Sequence, residues 1–104
     1  MAPFDIGGID DVIHGRLRLG IMAYLASAEV ADFNELKALL QATQGNLSVH
    51  LRKLEDAGYV AIEKSFLGRK PLTQARITAS GRKAFATYLA AMGRLVDGAS
   101  TDDG

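Results

Sequence analysis

The chain has 104 residues, 48% of them hydrophobic, with twelve basic and twelve acidic side chains and no cysteine. That length fits a single domain with a modest core, and the lack of cysteine excludes a disulfide framework, a thiolate metal site and a cysteine nucleophile. No run of about 18 apolar residues occurs, and residues 1–10 lack the basic and apolar regions of a signal peptide, so a cytoplasmic protein with no membrane partner is expected.

The zero net charge conceals a segregation. Residues 1–42 carry three basic and six acidic side chains, residues 43–83 carry eight basic and three acidic, and residues 84–104 carry one basic and three acidic. One basic working face would produce this asymmetry, and so would chance scatter of solvated cations.

Residues 1–9 contain a proline and two adjacent glycines, and residues 97–104 are small or acidic. Both ends are therefore expected to be flexible around one folded unit over residues 10–96. Val12, Ile13, Leu17, Ile21, Met22 and Leu25 recur at helical spacing, which predicts a first helix from about Asp10 to Ser27. Asp32 stands three residues before Glu35 in the pattern of a capping box, and Phe33, Leu36, Leu39 and Leu40 form an apolar stripe. A second helix over Phe33–Gln41 follows. Thr43 is placed to cap a third helix with Leu47, Leu51 and Leu54 inward and Gly58 as its stop. The pattern then changes to strand-like alternation at Val60, Ile62 and Phe66, a turn over Gly68–Pro71, and a second strand over Leu72–Ile77. Thr78 can cap a fourth helix carrying Phe85, Tyr88, Leu89, Met92 and Leu95 or Val96. The expected fold is mainly α with a small β-hairpin.

The short connection around Ala42 between two amphipathic helices is a helix-turn-helix arrangement. Projected at 100° per residue, Leu47, Leu51 and Leu54 of the third helix fall within about 60° of arc. The opposite side carries Gly45, Ser48, Val49, Arg52 and Asp56, flanked by Asn46 and Lys53, with the long acids Glu55 and Asp56 held to the C-terminal end. Such a face can enter a major groove, where Arg52 can pair with guanine and Asn46 or Gln44 with adenine, and the helix N-terminus suits a phosphate. Small and polar residues are also ordinary on a solvated helix face.

The stretch G-N-L-S-V-H-L-R-K-L-E-D-A-G-Y-V (Gly45–Val60), then E-K-S-F-L-G-R-K-P (Glu63–Pro71), then I-T-A-S-G-R-K-A (Ile77–Ala84), resembles the small winged-helix regulators allied to the MarR and ArsR families. R-L-R-L-G-I-M (Arg16–Met22) is similar to their first helix. The resemblance implies a winged helix-turn-helix with a three-helix core, a two-stranded wing and a C-terminal helix. It also implies recognition of double-stranded DNA by the third helix and phosphate or minor-groove contact by the wing. Carried onto this sequence, the DNA-binding positions are Gln44, Asn46, Ser48, Val49, Arg52 and Lys53 on the helix and Arg69 and Lys70 at the wing tip. The metal-sensing branch differs, because its cysteines and any replacing His, Asp and Glu cluster are missing here.

The resemblance further implies a homodimer built from the first and last helices, for which Ile13, Leu17, Tyr88, Met92 and Leu95 are the apolar positions. Ala86, Ala90, Ala91 and Gly93 would allow close helix approach. No catalytic residue, cofactor or metal is expected. Ser48 and His50 project about 200° apart on one helix, which denies them a nucleophile–base pair. Gly7-Gly8 has no preceding strand and no following phosphate-loop lysine. His50 lies beside Leu47 and Leu54, which favours a packed, hydrogen-bonded histidine over a DNA contact, metal ligand or pH sensor. His14 is isolated from it, which argues against zinc. Two other functions stay open: a winged-helix module that binds protein instead of DNA, and a regulator whose affinity responds to a small-molecule effector between the first and last helices.

Overall fold

A computed structural model of the chain describes residues 9–100. Residues 1–8 and 101–104, where most of the two expected flexible ends fall, lie outside the described residues. The order is α1 (Arg16–Ala28), β1 (Val30–Asp32), α2 (Phe33–Leu40), α3 (Gln44–Asp56), β2 (Val60–Leu67), β3 (Lys70–Ile77) and α4 (Ala79–Ser100). The three strands form one antiparallel sheet in the order β1-β3-β2.

The first helix begins later than its apolar spacing predicts. Asp10 Oδ1 accepts from the Val12 and Ile13 amides at 2.8 and 3.3 Å, and His14 N donates to Asp10 O at 2.8 Å. Those bonds close a separate turn that drops Ile13, 0% exposed, into the core. Gly15 is extended, with φ 170°, and only then does the helix start. Local capping by Asp10 competes with helix over this stretch, and burial of Ile13 imitates helical periodicity.

The second and third helices start as expected. Asp32 and Glu35 form a reciprocal capping box, and Thr43 Oγ1 accepts from Asn46 N at 3.1 Å. The second helix stops one residue early because Gln41 is left-handed, at φ 52° and ψ 46°. Between α1 and α2 lies an element that periodicity did not reveal: β1 pairs Val30, Ala31 and Asp32 with Arg76, Ala75 and Gln74 of β3. The fourth helix is capped by Thr78, whose Oγ1 accepts from Gly81 N at 2.9 Å. It runs through Ser100, past the expected boundary at Val96.

The core lies where α1, α3, the base of the sheet and the first half of α4 meet. Ile21, Met22 and Leu25 of α1 pack with Leu47, Leu51 and Leu54 of α3, Val60, Ala75 and Ile77 of the sheet, and Phe85 and Tyr88 of α4. Among the described residues no polar or charged residue is fully buried. Every polar device available for binding is therefore at the surface.

Candidate nucleic-acid interface

Burial of Leu47, Leu51 and Leu54 orients α3, since these three anchor one side of the helix and turn the other to solvent. Gln44, Asn46, Ser48, Val49, Arg52 and Lys53 are all exposed. Because Thr43 caps the Asn46 amide, the N–H groups of Gln44 and Gly45 at the helix start remain available to an anion. A Cβ added at Gly45 would meet nothing within 4 Å, so the helix start is open on its outer side.

The wing stands beside this helix. Strand β2 pairs with β3 from Val60↔Ile77 to Leu67↔Lys70. The two intervening residues, Gly68 and Arg69, close the hairpin with φ +67° at Gly68 alone, the pattern of a II′ turn with glycine at its first central position. Pairing fixes two faces. Val60, Ile62, Lys64 and Phe66 share the inner face with Ile77, Ala75, Thr73 and Pro71, while Glu63, Ser65 and Leu67 face outward. The inner face and α3 enclose an open groove of about 450 Å³. Ser48, Leu51, Arg52 and Glu55 line it from the helix, and Ile62, Lys64 and Thr73 from the wing.

Lys64 and Thr73 were not among the positions singled out from sequence. Strand alternation contains the signal, because Lys64 is two residues beyond the inward Ile62. Its significance depends on the cross-strand register and on the helix opposite. Arg69 and Lys70 are exposed at the wing tip, beyond this groove.

Among the described residues two cations are held in ion pairs. Arg76 pairs with Glu63 at 3.9 Å on the outer face of the wing, and Arg82 with Glu29 at 3.7 Å behind it. Among the described residues, Arg52, Lys53, Lys64, Arg69 and Lys70 enter no ion pair. Arg16, Lys37, Lys83 and Arg94 enter none either, so what distinguishes Arg52 and Lys64 is their place on the groove. Glu55 is the acid that intrudes on the groove, at its C-terminal end.

His50 is held from behind. Arg18 bridges from α1, donating through Nη1 to His50 Nδ1 at 2.8 Å and through Nε to Val12 O at 2.5 Å. A guanidinium only donates, so His50 Nδ1 is unprotonated and the neutral ring carries its proton on Nε2. Burial, then the charges of Arg18 and Lys53, lower the His50 pKa from its ordinary value.

The residues expected at a dimer interface fall into two groups. Ile13, Leu17 and Tyr88 are 0%, 7% and 2% exposed and belong to the protomer's own core. Met92 and Leu95 are half-buried, and the exposed apolar side chains of α4 are Leu89 and Val96, at 52% and 59%. Past Ala91 no residue of α4 is fully buried as far as Asp97. Among the described residues no group of three His, Cys, Asp or Glu side chains could hold a metal, and no helix is long and apolar enough to cross a membrane.

A helix-turn-helix flanked by an antiparallel wing defines a winged helix protein. The sequence matches the model of the winged helix DNA-binding domain over residues 17–96, and the chain belongs to that family. It is 40% identical over 78 residues to the uncharacterized protein MJ0432 of Methanocaldococcus jannaschii, covering 75% of this chain and 85% of that protein. Its fold is similar to that of a transcriptional regulator homologue from Pyrococcus horikoshii, with a TM-score of 0.79, 33% identity, and coverage of 84% and 86% of the two chains. NadR, solved in complex with 4-hydroxyphenylacetate, shares the fold at a TM-score of 0.65 and 21% identity over 89% of this chain and 68% of that one. The winged-helix membership expected from sequence is thereby established.

Proposed function

We infer that the protein is a homodimeric transcription regulator that binds double-stranded DNA sequence-specifically, with α3 in the major groove and the wing on the flanking backbone. The observation that carries this reading is the groove in which Ser48 and Arg52 of α3 face Lys64 and Thr73 of the wing, with Arg52 and Lys64 in no ion pair. Gln44, Asn46, Ser48, Val49 and Arg52 supply base-edge contacts, and Lys53, Arg69 and Lys70 anchor phosphates. The apolar row of α4 supports assembly through that helix.

Selection of bound duplexes from a random DNA pool, followed by affinity measurement against salt, tests the reading. If each protomer neutralises about three phosphates, a dimer gives a log–log slope near −5, at about −0.9 per phosphate. Recovery of no enriched sequence, with affinity independent of salt, rejects it and favours a protein-binding module.

A further inference from the structure

Phe66 and Leu67 are the most exposed of the large apolar side chains among the described residues, at 71% and 72%. They stand at the tip of the wing, opposite Pro71 and Lys70, where neither contributes to the core. The two project to different faces. Phe66 shares the inner face with Ile62, Lys64 and Thr73, the wing residues that line the groove against Ser48 and Arg52. Leu67 shares the outer face with Glu63, which is paired with Arg76. An exposed phenylalanine on the binding side, presented by a paired strand and a tight turn, is costly to leave in water and has an occupant to find.

We propose that Phe66 enters the DNA minor groove next to the recognition helix as an apolar wedge, opening one base step and bending the duplex. This rests on the DNA-binding reading above and assigns the wing a role beyond backbone anchoring. Phe66 lies two residues beyond Lys64 on the same face of the strand, about 7 Å of reach, which is close to the roughly 6 Å width of a minor groove. With Arg52 inside the major groove and Lys64 on the phosphates that edge it, Phe66 lies over the neighbouring minor groove. Charge complementarity selects DNA as the occupant. Lys64 shares the face of the ring, and Arg69 and Lys70 stand at the adjacent turn, cations that suit a phosphate-lined cleft and repel a second basic wing. Apolar wedges of this kind unstack a step and kink DNA by roughly 20–90°, and flexible pyrimidine–purine steps accept this most readily. The wedge therefore adds a sequence preference at a flanking step with no base-edge hydrogen bond.

The test uses the full chain and the duplex recovered by selection, with 2-aminopurine placed in turn at flanking steps and a fluorophore pair at the ends. Wild-type protein is expected to raise 2-aminopurine fluorescence at one flanking step and to shorten the end-to-end distance. Phe66→Ala is expected to lose both signals and bind about tenfold more weakly, with an unchanged salt slope, whereas Leu67→Ala retains both. Phe66→Trp supplies a second readout, since its own emission is expected to be quenched on binding. Phe66→Ala that matches wild type in affinity, bend and 2-aminopurine signal overturns the wedge and leaves DNA binding standing. Wild-type protein that binds no duplex in a salt-dependent way overturns both. A fall in solution mass for Phe66→Ala in the absence of DNA assigns the ring to a second copy of the chain and also overturns the wedge.

Discussion

Arg18 of α1 donates to His50 Nδ1 of α3 at 2.8 Å, so the helix assigned to DNA is braced by a bond that exists only while His50 is neutral. Protonation would place two cations in contact. The folded protein lowers the pKa of His50 through burial and the charges of Arg18 and Lys53, and the unfolded chain therefore takes up this proton first as pH falls. Stability from this site is complete above the ordinary histidine value of about 6.5, and declines as pH falls below it toward the depressed folded value. Thermal melts from pH 7.5 to 5 are expected to show a falling Tm in wild type. The slope should be shallower in His50→Asn, whose amide oxygen can accept from Arg18 without titrating. Identical slopes would show that His50 is not responsible.

What was legible in the sequence was what a single element states by itself. Asp32 and Glu35 announce a helix start through their own side chains, and the spacing of Leu47, Leu51 and Leu54 fixes which side of α3 is buried. The elements that were missed are defined by something distant. β1 is three residues long and is a strand only because β3 lies beside it, too short for alternation to register. Tyr59 OH donates to Asp10 at 2.6 Å across 49 residues, so the turn that displaces the start of α1 is anchored by a residue outside any local window. Lys64 joins the candidate site through register with Thr73 and the proximity of α3.

Gly81 illustrates the same dependence on distant backbone. A Cβ there would stand 2.1 Å from Tyr59 O, the carbonyl that accepts from Thr78 N at 3.1 Å. In an isolated helix Gly→Ala gains up to about 1 kcal/mol. Here backbone blocks the added methyl, so Gly81→Ala is expected to destabilise by about 1–3 kcal/mol, as overpacking does. Urea unfolding measures this, and a gain in stability would mean that α4 can shift off the Tyr59 carbonyl without penalty.

Gly45 should behave in the opposite way in the same assay. Its added Cβ meets nothing within 4 Å, and Gly45→Ala is expected to raise stability by up to about 1 kcal/mol. If the start of α3 meets DNA at close range, the methyl should nonetheless weaken binding. A variant that gains stability and binds at least as well as wild type would move the DNA contact away from the helix start.

Reading and anchoring should separate at Arg52 and Lys70. Arg52 is exposed mid-helix and lines the groove, so Arg52→Ala is expected to cost about 1–3 kcal/mol on the preferred site and to relax preference at one base position. Lys70→Ala, at the wing tip, should weaken all duplexes alike and reduce the salt slope by about one. Equal losses for both variants on every duplex would remove α3 from the major groove.

The proposed assembly rests on the second half of α4. Tyr88 is 2% exposed, stacks at 9° on Phe85 and lies 2.9 Å from His14 through its hydroxyl, so Tyr88→Glu is expected to unfold the protomer. Leu89 and Leu95 are exposed and half-buried in turn, and charging them spares the core. If this row is the interface, Leu89→Glu or Leu95→Glu sets a carboxylate against apolar neighbours and should weaken the dimer by about a hundredfold, roughly 2.7 kcal/mol, with the melting transition retained. A two-fold axis also requires the preferred DNA to be an inverted repeat, with half-sites about one helical turn, roughly 34 Å, apart. Mass in solution and DNA binding, measured together, are expected to show a wild-type dimer and charged variants that lose both properties. A wild-type monomer at tens of micromolar that binds one asymmetric half-site tightly would overturn the dimer and leave the winged helix assignment intact.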